Sequence, residues 1–243
     1  HAINEWQEQT KEFRHILEEA DNFPMQNFFD VRESVSRIRL EGTHLEEQEL
    51  FDLRRSLDTI HLIVTFLQAS TLQTTLSPTL HEAQKEVEDV QEESTNKLYP
   101  ALYKLTESVI TFPQLIQHID RILDKFGHIR DGASPELARI RQDLSRTEGS
   151  ISRTLYNILR NAQSKGLVEK DVTPTMRDGR LVIPVAPALK RRLHGIVHDE
   201  SASGKTVFIE PTEVVEANNK IRELEADERR EIIRILTDMA KQL

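Results

Sequence analysis

Apolar residues recur along most of this chain at steps of three and four, the spacing of one helix face. Ile3, Trp6, Phe13, Ile16 and Leu17 mark the first such segment, and Asp21-Asn22-Phe23-Pro24 breaks it. After Gly42-Thr43-His44, the stripe Leu50, Leu53, Leu57, Ile60, Val64 and Leu67 predicts a strong helix over 46–70. Ser77-Pro78 has the form of a cap followed by proline at the first helical position. Shorter helices are predicted over 98–110 and 114–126, parted at Phe112-Pro113. Gly127 and the turn Asp131-Gly132 then lead into Ser134-Pro135-Glu136, which offers a capping serine, a first-position proline and an acid in the first turn. The helix opened there should run to Ser164, about 46 Å at ~1.5 Å per residue, with Gly166 ending it. Its stripe of Leu137, Ile140, Leu144, Ile151, Leu155 and Ile158 is thin, and Thr147 and Glu148 interrupt it. A second long helix follows Pro211, marked by Val214, Ala217, Ile221, Leu224, Ile232, Ile235 and Met239, and broken midway by Asp227 and Glu228. Narrow stripes suit pairing with a single neighbour, so the two long helices are expected to pack antiparallel.

Between those helices the pattern changes. Strands are predicted over 172–176 and 181–185, flanking Arg177-Asp178-Gly179-Arg180, a two-residue hairpin signal. Pro174 and Pro184 confine them to edges or bulges. A second strand pair is predicted over 193–200 and 206–209, joined around Ser203-Gly204. The expected fold is therefore mainly α. A helical core occupies 1–126, an ascending helical arm 127–166, a small antiparallel β unit 167–211 and a descending helix 212–243. A small sheet on the end of a helical arm is a poor place for catalysis and a good place to touch something large.

Composition agrees with long, solvated helices: 37% of residues are apolar, 30% charged and 5% aromatic. No cysteine is present, which excludes disulfides, thiolate metal sites and cysteine nucleophiles. The longest apolar stretch, Leu62 to Leu67, is far too short to span a bilayer, and no secretory signal is visible. The chain opens on His1 and ends inside a helical pattern, as a piece cut from a longer protein would. Its net charge of −9 argues against coating nucleic acid by bulk charge. Locally the sign differs: residues 172–211 carry six basic residues, Arg177, Arg180, Lys190, Arg191, Arg192 and Lys205, against four acidic ones. Basic side chains on a protruding unit can hold backbone phosphates without reading sequence. The competing view is that these charges only solvate a small sheet.

Other chemistry is weaker. Ser203-Gly204-Lys205-Thr206 imitates part of a phosphate loop, but Asp199 stands where that motif needs its first glycine, and a strand follows where a helix should. His194, His198 and Glu200 would share one face of a regular strand and so could offer metal ligands, although Ile196 lies on that face too. His81-Glu82 lacks the second histidine of a zinc-protease helix. Carboxylates such as Glu46, Glu47 and Glu49 suit a helix start better than an acid–base pair. No catalytic function is expected of this chain.

Several short motifs, in order, carry a resemblance. They are Arg130-Asp131-Gly132-Ala133-Ser134-Pro135-Glu136-Leu137, Arg177-Asp178-Gly179-Arg180-Leu181-Val182-Ile183-Pro184-Val185, Gly195-Ile196-Val197-His198-Asp199, Ser201-Ala202-Ser203-Gly204, Phe208-Ile209-Glu210-Pro211, and Asn218-Asn219 with Arg222-Glu223-Leu224. Together they resemble the bacterial MutS family, in the branch that bears a C-terminal Smr nuclease domain. Leu50-Phe51-Asp52-Leu53-Arg54-Arg55 fits the same family more loosely, and Lys205 stands where relatives often carry a neutral residue. The resemblance implies a core, a lever of long helices and a clamp-like tip. It also implies an ATPase domain beyond Leu243 that drives dimerisation, so that ATP and magnesium belong to the full-length protein and no cofactor to this segment. The family is linked to binding branched DNA and limiting recombination, and to rescuing collided ribosomes. Branched DNA or the ribosome, and a homodimer mate, are thus the expected partners in the cytoplasm, with no membrane and no small-molecule substrate. The alternative is a structural helical spacer that makes only protein–protein contacts.

Overall fold

The long helices form where the apolar steps put them, whereas the shorter ones expected over 98–110 and 114–126 are helical only over 100–106 and 113–122, and a short helix at 32–37 was not expected. The computed structural model describes residues 2–70 and 97–243. Among these residues it holds seven α-helices and one small antiparallel sheet of four strands, so the fold is mainly α. The expected cap at Ser77-Pro78 and the pair His81-Glu82 lie outside the described residues. The chain divides into two units, 1–128 with 239–243, and 129–238.

The first unit contains α1 (Ala2–Glu19), α2 (Arg32–Arg37), α3 (Glu47–Ala69), α4 (Pro100–Thr106) and α5 (Pro113–Ile122). A reciprocal capping box opens α3, in which the Glu49 carboxylate accepts the Glu46 amide at 2.9 Å. Leu50, Leu53, Val64 and Leu67 of its stripe are buried, whereas Ile60 is 40% exposed. Ser56 and Thr59 are buried instead, because their hydroxyls satisfy backbone groups of Phe29 and Gln26. Prolines open α4 and α5, where a missing amide hydrogen costs nothing. The remaining amides at the start of α4 find an anion on α1: Glu12 accepts from Ala101 at 3.0 Å and from Leu102 at 2.8 Å. Ile16, Leu67 and Tyr99 centre the packing of α1, α3 and α4.

The second unit is built on α6 (Pro135–Ser164) and α7 (Val215–Ala240). Ser134 caps α6: its hydroxyl oxygen accepts from the Leu137 amide at 3.0 Å and donates to Glu231 Oε1 at 2.7 Å. That bond places the start of α6 beside the last part of α7, so the two run antiparallel. Arg141 reinforces the pairing with 2.8 Å to Glu228, while also binding Asp131 and the Ile129 carbonyl at 2.7 Å each. The polar break at Asp227-Glu228 is therefore a contact point.

Glu231 is nearly buried and receives two bonds from Arg234 as well. Those bonds pull its carboxyl from 4.5 to about 2 against the opposing effect of burial, with Ser134 helping. A carboxyl lowered on folding contributes stability that is complete above its unfolded value and fades as pH falls from there. Thermal unfolding followed from pH 7 to pH 2 should therefore show a loss that begins near pH 4.5 and continues toward pH 2. Glu231→Gln should flatten that part of the profile; an unaltered profile would contradict the assignment.

The sheet joins β1 (Thr175–Arg177), β2 (Arg180–Val185), β3 (Gly195–Glu200) and β4 (Val207–Pro211) in the order β1-β2-β4-β3, antiparallel throughout. Asp178 and Gly179 take φ of 51° and 72°, the two positive values that a tight hairpin turn of this hand requires. Two expected strand pairs thus form one sheet, because β2 continues onto β4 with Ile183 opposite Ile209. β1 and β3 start later than the pattern predicts, at Thr175 and Gly195. Pro184 lies past the end of the β1 ladder, where β2 has a neighbour on one side only and loses no hydrogen bond there. Ile183, Val185, Val207 and Ile209 pack on Ile151, Leu155, Leu159 and Ala162 of α6, and on Val214 and Ile221. Gly195 is forced by close approach: a Cβ there would lie 2.2 Å from the Glu210 carbonyl oxygen.

Candidate nucleic-acid interface

Five of the six basic residues of the β unit fall into two groups, with Arg177 between them. Arg180 belongs to a buried node. Its guanidinium, 14% exposed, donates to Glu210 Oε2 at 2.8 Å and to Asn219 Oδ1 at 2.7 Å. Glu210 is fully buried and also holds Asn218 Nδ2 at 2.8 Å and His198 Nε2 at 3.1 Å. Burial pushes the Glu210 carboxyl up, but the hydrogen bonds from Arg180, His198 and Asn218 outweigh it and keep the group below its ordinary value. One carboxylate thus ties β2, β3 and β4 to the first turns of α7. Arg177 is intermediate: it stacks 4.2 Å from the centroid of Phe208, and its Nε lies 3.6 Å from Asp199.

Lys190, Arg191, Arg192 and Lys205 form the second group, and all four are exposed. The first three occupy the turn after the short 3₁₀ segment Pro187–Leu189, where the Arg192 amide donates to the Leu189 carbonyl at 3.0 Å. Buried Leu193 anchors the far side of that turn. Lys205 lies in the β3–β4 turn. None of the four takes part in an ion pair among the described residues. They can present mobile positive charge to an extended polyanion, a different task from that of Arg180.

The turn around Gly204-Lys205-Thr206 does not fit a nucleotide phosphate. Gly204 N–H donates to the Ser201 carbonyl at 2.8 Å, Ser201 N–H to the Thr206 carbonyl at 2.8 Å, and Thr206 N–H to Ser201 Oγ at 3.1 Å. Amides so engaged cannot wrap a phosphate, and β4 follows in place of a helix. The histidine set is also dispersed. A register shift between Val197 and Asp199 breaks the alternation that would align His194, His198 and Glu200, and His198 is engaged by Glu210. Among the described residues, no three His, Asp or Glu side chains are grouped to hold a metal ion. No helix among them is long and apolar enough to cross a membrane.

Glu210, Asn218 and Asn219 were not singled out by chemistry from the sequence. Their signal lay in the motifs Phe208-Ile209-Glu210-Pro211 and Asn218-Asn219, which meet in space at the Arg180 guanidinium.

No family model matches the chain. Curated relatives do. "Endonuclease MutS2" of Geobacillus sp. (strain WCH70) is 35% identical over 237 residues, which is 98% of this chain and 27% of that protein. The protein of the same name from Halalkalibacterium halodurans is 32% identical over 240 residues, again 98% of this chain and 27% of its own. That of Pelotomaculum thermopropionicum is 41% identical over 142 residues, 58% of this chain and 18% of that protein. The chain spans about a quarter of the length of the relatives that match it from end to end.

Proposed function

The chain belongs to the MutS2 family, and from that premise we propose that it is a non-catalytic core, lever and clamp segment whose β unit grips the sugar–phosphate backbone of branched DNA. The observation that carries this reading is the exposed cluster Lys190, Arg191 and Arg192, joined by Lys205, free of ion pairs among the described residues in a chain of net charge −9. Charge of this kind binds phosphate without regard to base identity. The α6–α7 hairpin supplies a firm mount. ATP and magnesium would be bound elsewhere in a homodimeric full-length protein, with the hairpin coupling nucleotide state to grip. Ribosomal RNA offers the same phosphate chemistry and is the rival target.

Fluorescence anisotropy of a labelled four-way DNA junction titrated with the 243-residue chain tests the proposal. With three or four phosphate contacts, affinity should fall roughly 40- to 150-fold between 50 and 200 mM salt. Purified ribosomes added as competitor at fixed salt separate the two targets. Salt-independent binding, or none at 50 mM, would favour a spacer that touches only protein.

A further inference from the structure

β3 is an edge strand, with β4 on one side and no described strand on the other. Ile196 and Val197 in its first half are each 49% exposed. The His194 carbonyl receives the Thr212 amide, and Pro211 offers no N–H opposite Gly195. By the alternation of an antiparallel ladder, the amides and carbonyls of Gly195 and Val197 therefore point away from β4. Such an edge is a template for another strand unless charge or a bulge blunts it. Here both devices, Asp199 with Glu200 and the register shift after Val197, are confined to the second half of the strand.

The order of charges indicates what pairs there. Lys190, Arg191 and Arg192 precede the strand, Ile196 and Val197 lie in its first half, and Asp199 and Glu200 close it. A segment that is basic at one end, apolar in the middle and acidic at the other is complementary to itself when run antiparallel. We propose that the β3 edge docks on β3 of a second copy of this chain, across a two-fold axis at Ile196. In that register Gly195 of each copy exchanges hydrogen bonds with Val197 of the other, and the two Ile196 side chains meet at the axis. Arg192 of each copy reaches toward Glu200 of the other, with the bulge bending the outer ends together. The contact is isologous and closes on itself.

The absence of native cysteine makes the test direct. Ile196→Cys introduces a single thiol at the axis, where Cα atoms of a non-hydrogen-bonded pair lie about 4.5 Å apart, within disulfide reach. In the 243-residue chain under mild oxidation, without nucleic acid, disulfide-linked dimer should form about tenfold faster than from Met176→Cys, a comparably exposed site on the opposite edge strand β1. In the Ile196→Cys background, Arg192→Glu or Glu200→Arg alone should slow coupling roughly tenfold, and the two together should restore it. Equal rates at the two edges, as expected if the edge serves a strand of some other protein, would overturn the proposal. So would a double exchange that fails to restore coupling. Because no nucleic acid is present, these outcomes are independent of the phosphate-binding reading.

Discussion

Replacing Glu210 with alanine is expected to destabilise the β unit by about 3–5 kcal/mol, measured by chemical denaturation at neutral pH. The size follows from what would be left behind. The Arg180 guanidinium would keep its buried position without an anion, while the buried Asn218 amide and His198 would lose their acceptor. A control separates charge from volume: Glu210→Leu combined with Arg180→Met removes both ions and should cost less than half as much. A loss below about 1 kcal/mol for Glu210→Ala would mean that the node is not what holds the sheet to α7. Since Glu210 is kept below its ordinary carboxyl value, its contribution also fades as pH falls from 4.5, in the same direction as that of Glu231.

Reversing Lys190, Arg191 and Arg192 to glutamate together should lower affinity for a four-way junction by about a hundredfold near 100 mM salt. It should also flatten the dependence of log affinity on log salt by about 2.7, the value for three lost contacts. Stability should stay within about 0.5 kcal/mol of the parent, because all three side chains are exposed. Arg180→Glu offers the instructive contrast. It should unfold the β unit outright, since it sets a second acid against buried Glu210, and any lost binding would then follow lost structure. If the triple reversal leaves both affinity and salt slope unchanged, the phosphate role of this turn is wrong.

Helix limits were legible where local chemistry dictates them. Ser134-Pro135-Glu136 announces α6, and the serine does cap it. Asp178-Gly179 announces the hairpin because few other residue pairs accept two positive φ values. The joining of two strand pairs into one sheet was not legible, because the contact of Ile183 with Ile209 spans a separation that leaves no local mark. Within α6, Leu159 and Ala162 replace Ile158 as the buried positions near its end, since the sheet takes over from α7 as the packing partner there. The candidate site divides the same way. Basic character is visible in every lysine and arginine, but a string of residues cannot show that a carboxylate thirty positions onward lies beneath Arg180. Lys190 to Arg192 stay exposed because their turn projects between Leu189 and buried Leu193.

The Ser134 hydroxyl belongs to two systems at once, the cap of α6 and the carboxylate of α7, with Arg141 and Glu228 bridging the same helices close by. Sliding one helix past the other by a single turn, about 5.4 Å, would break all of these bonds together. The hairpin is therefore stiff to shear along its axis. A load along that axis would be shared by both helices, with little slippage between them.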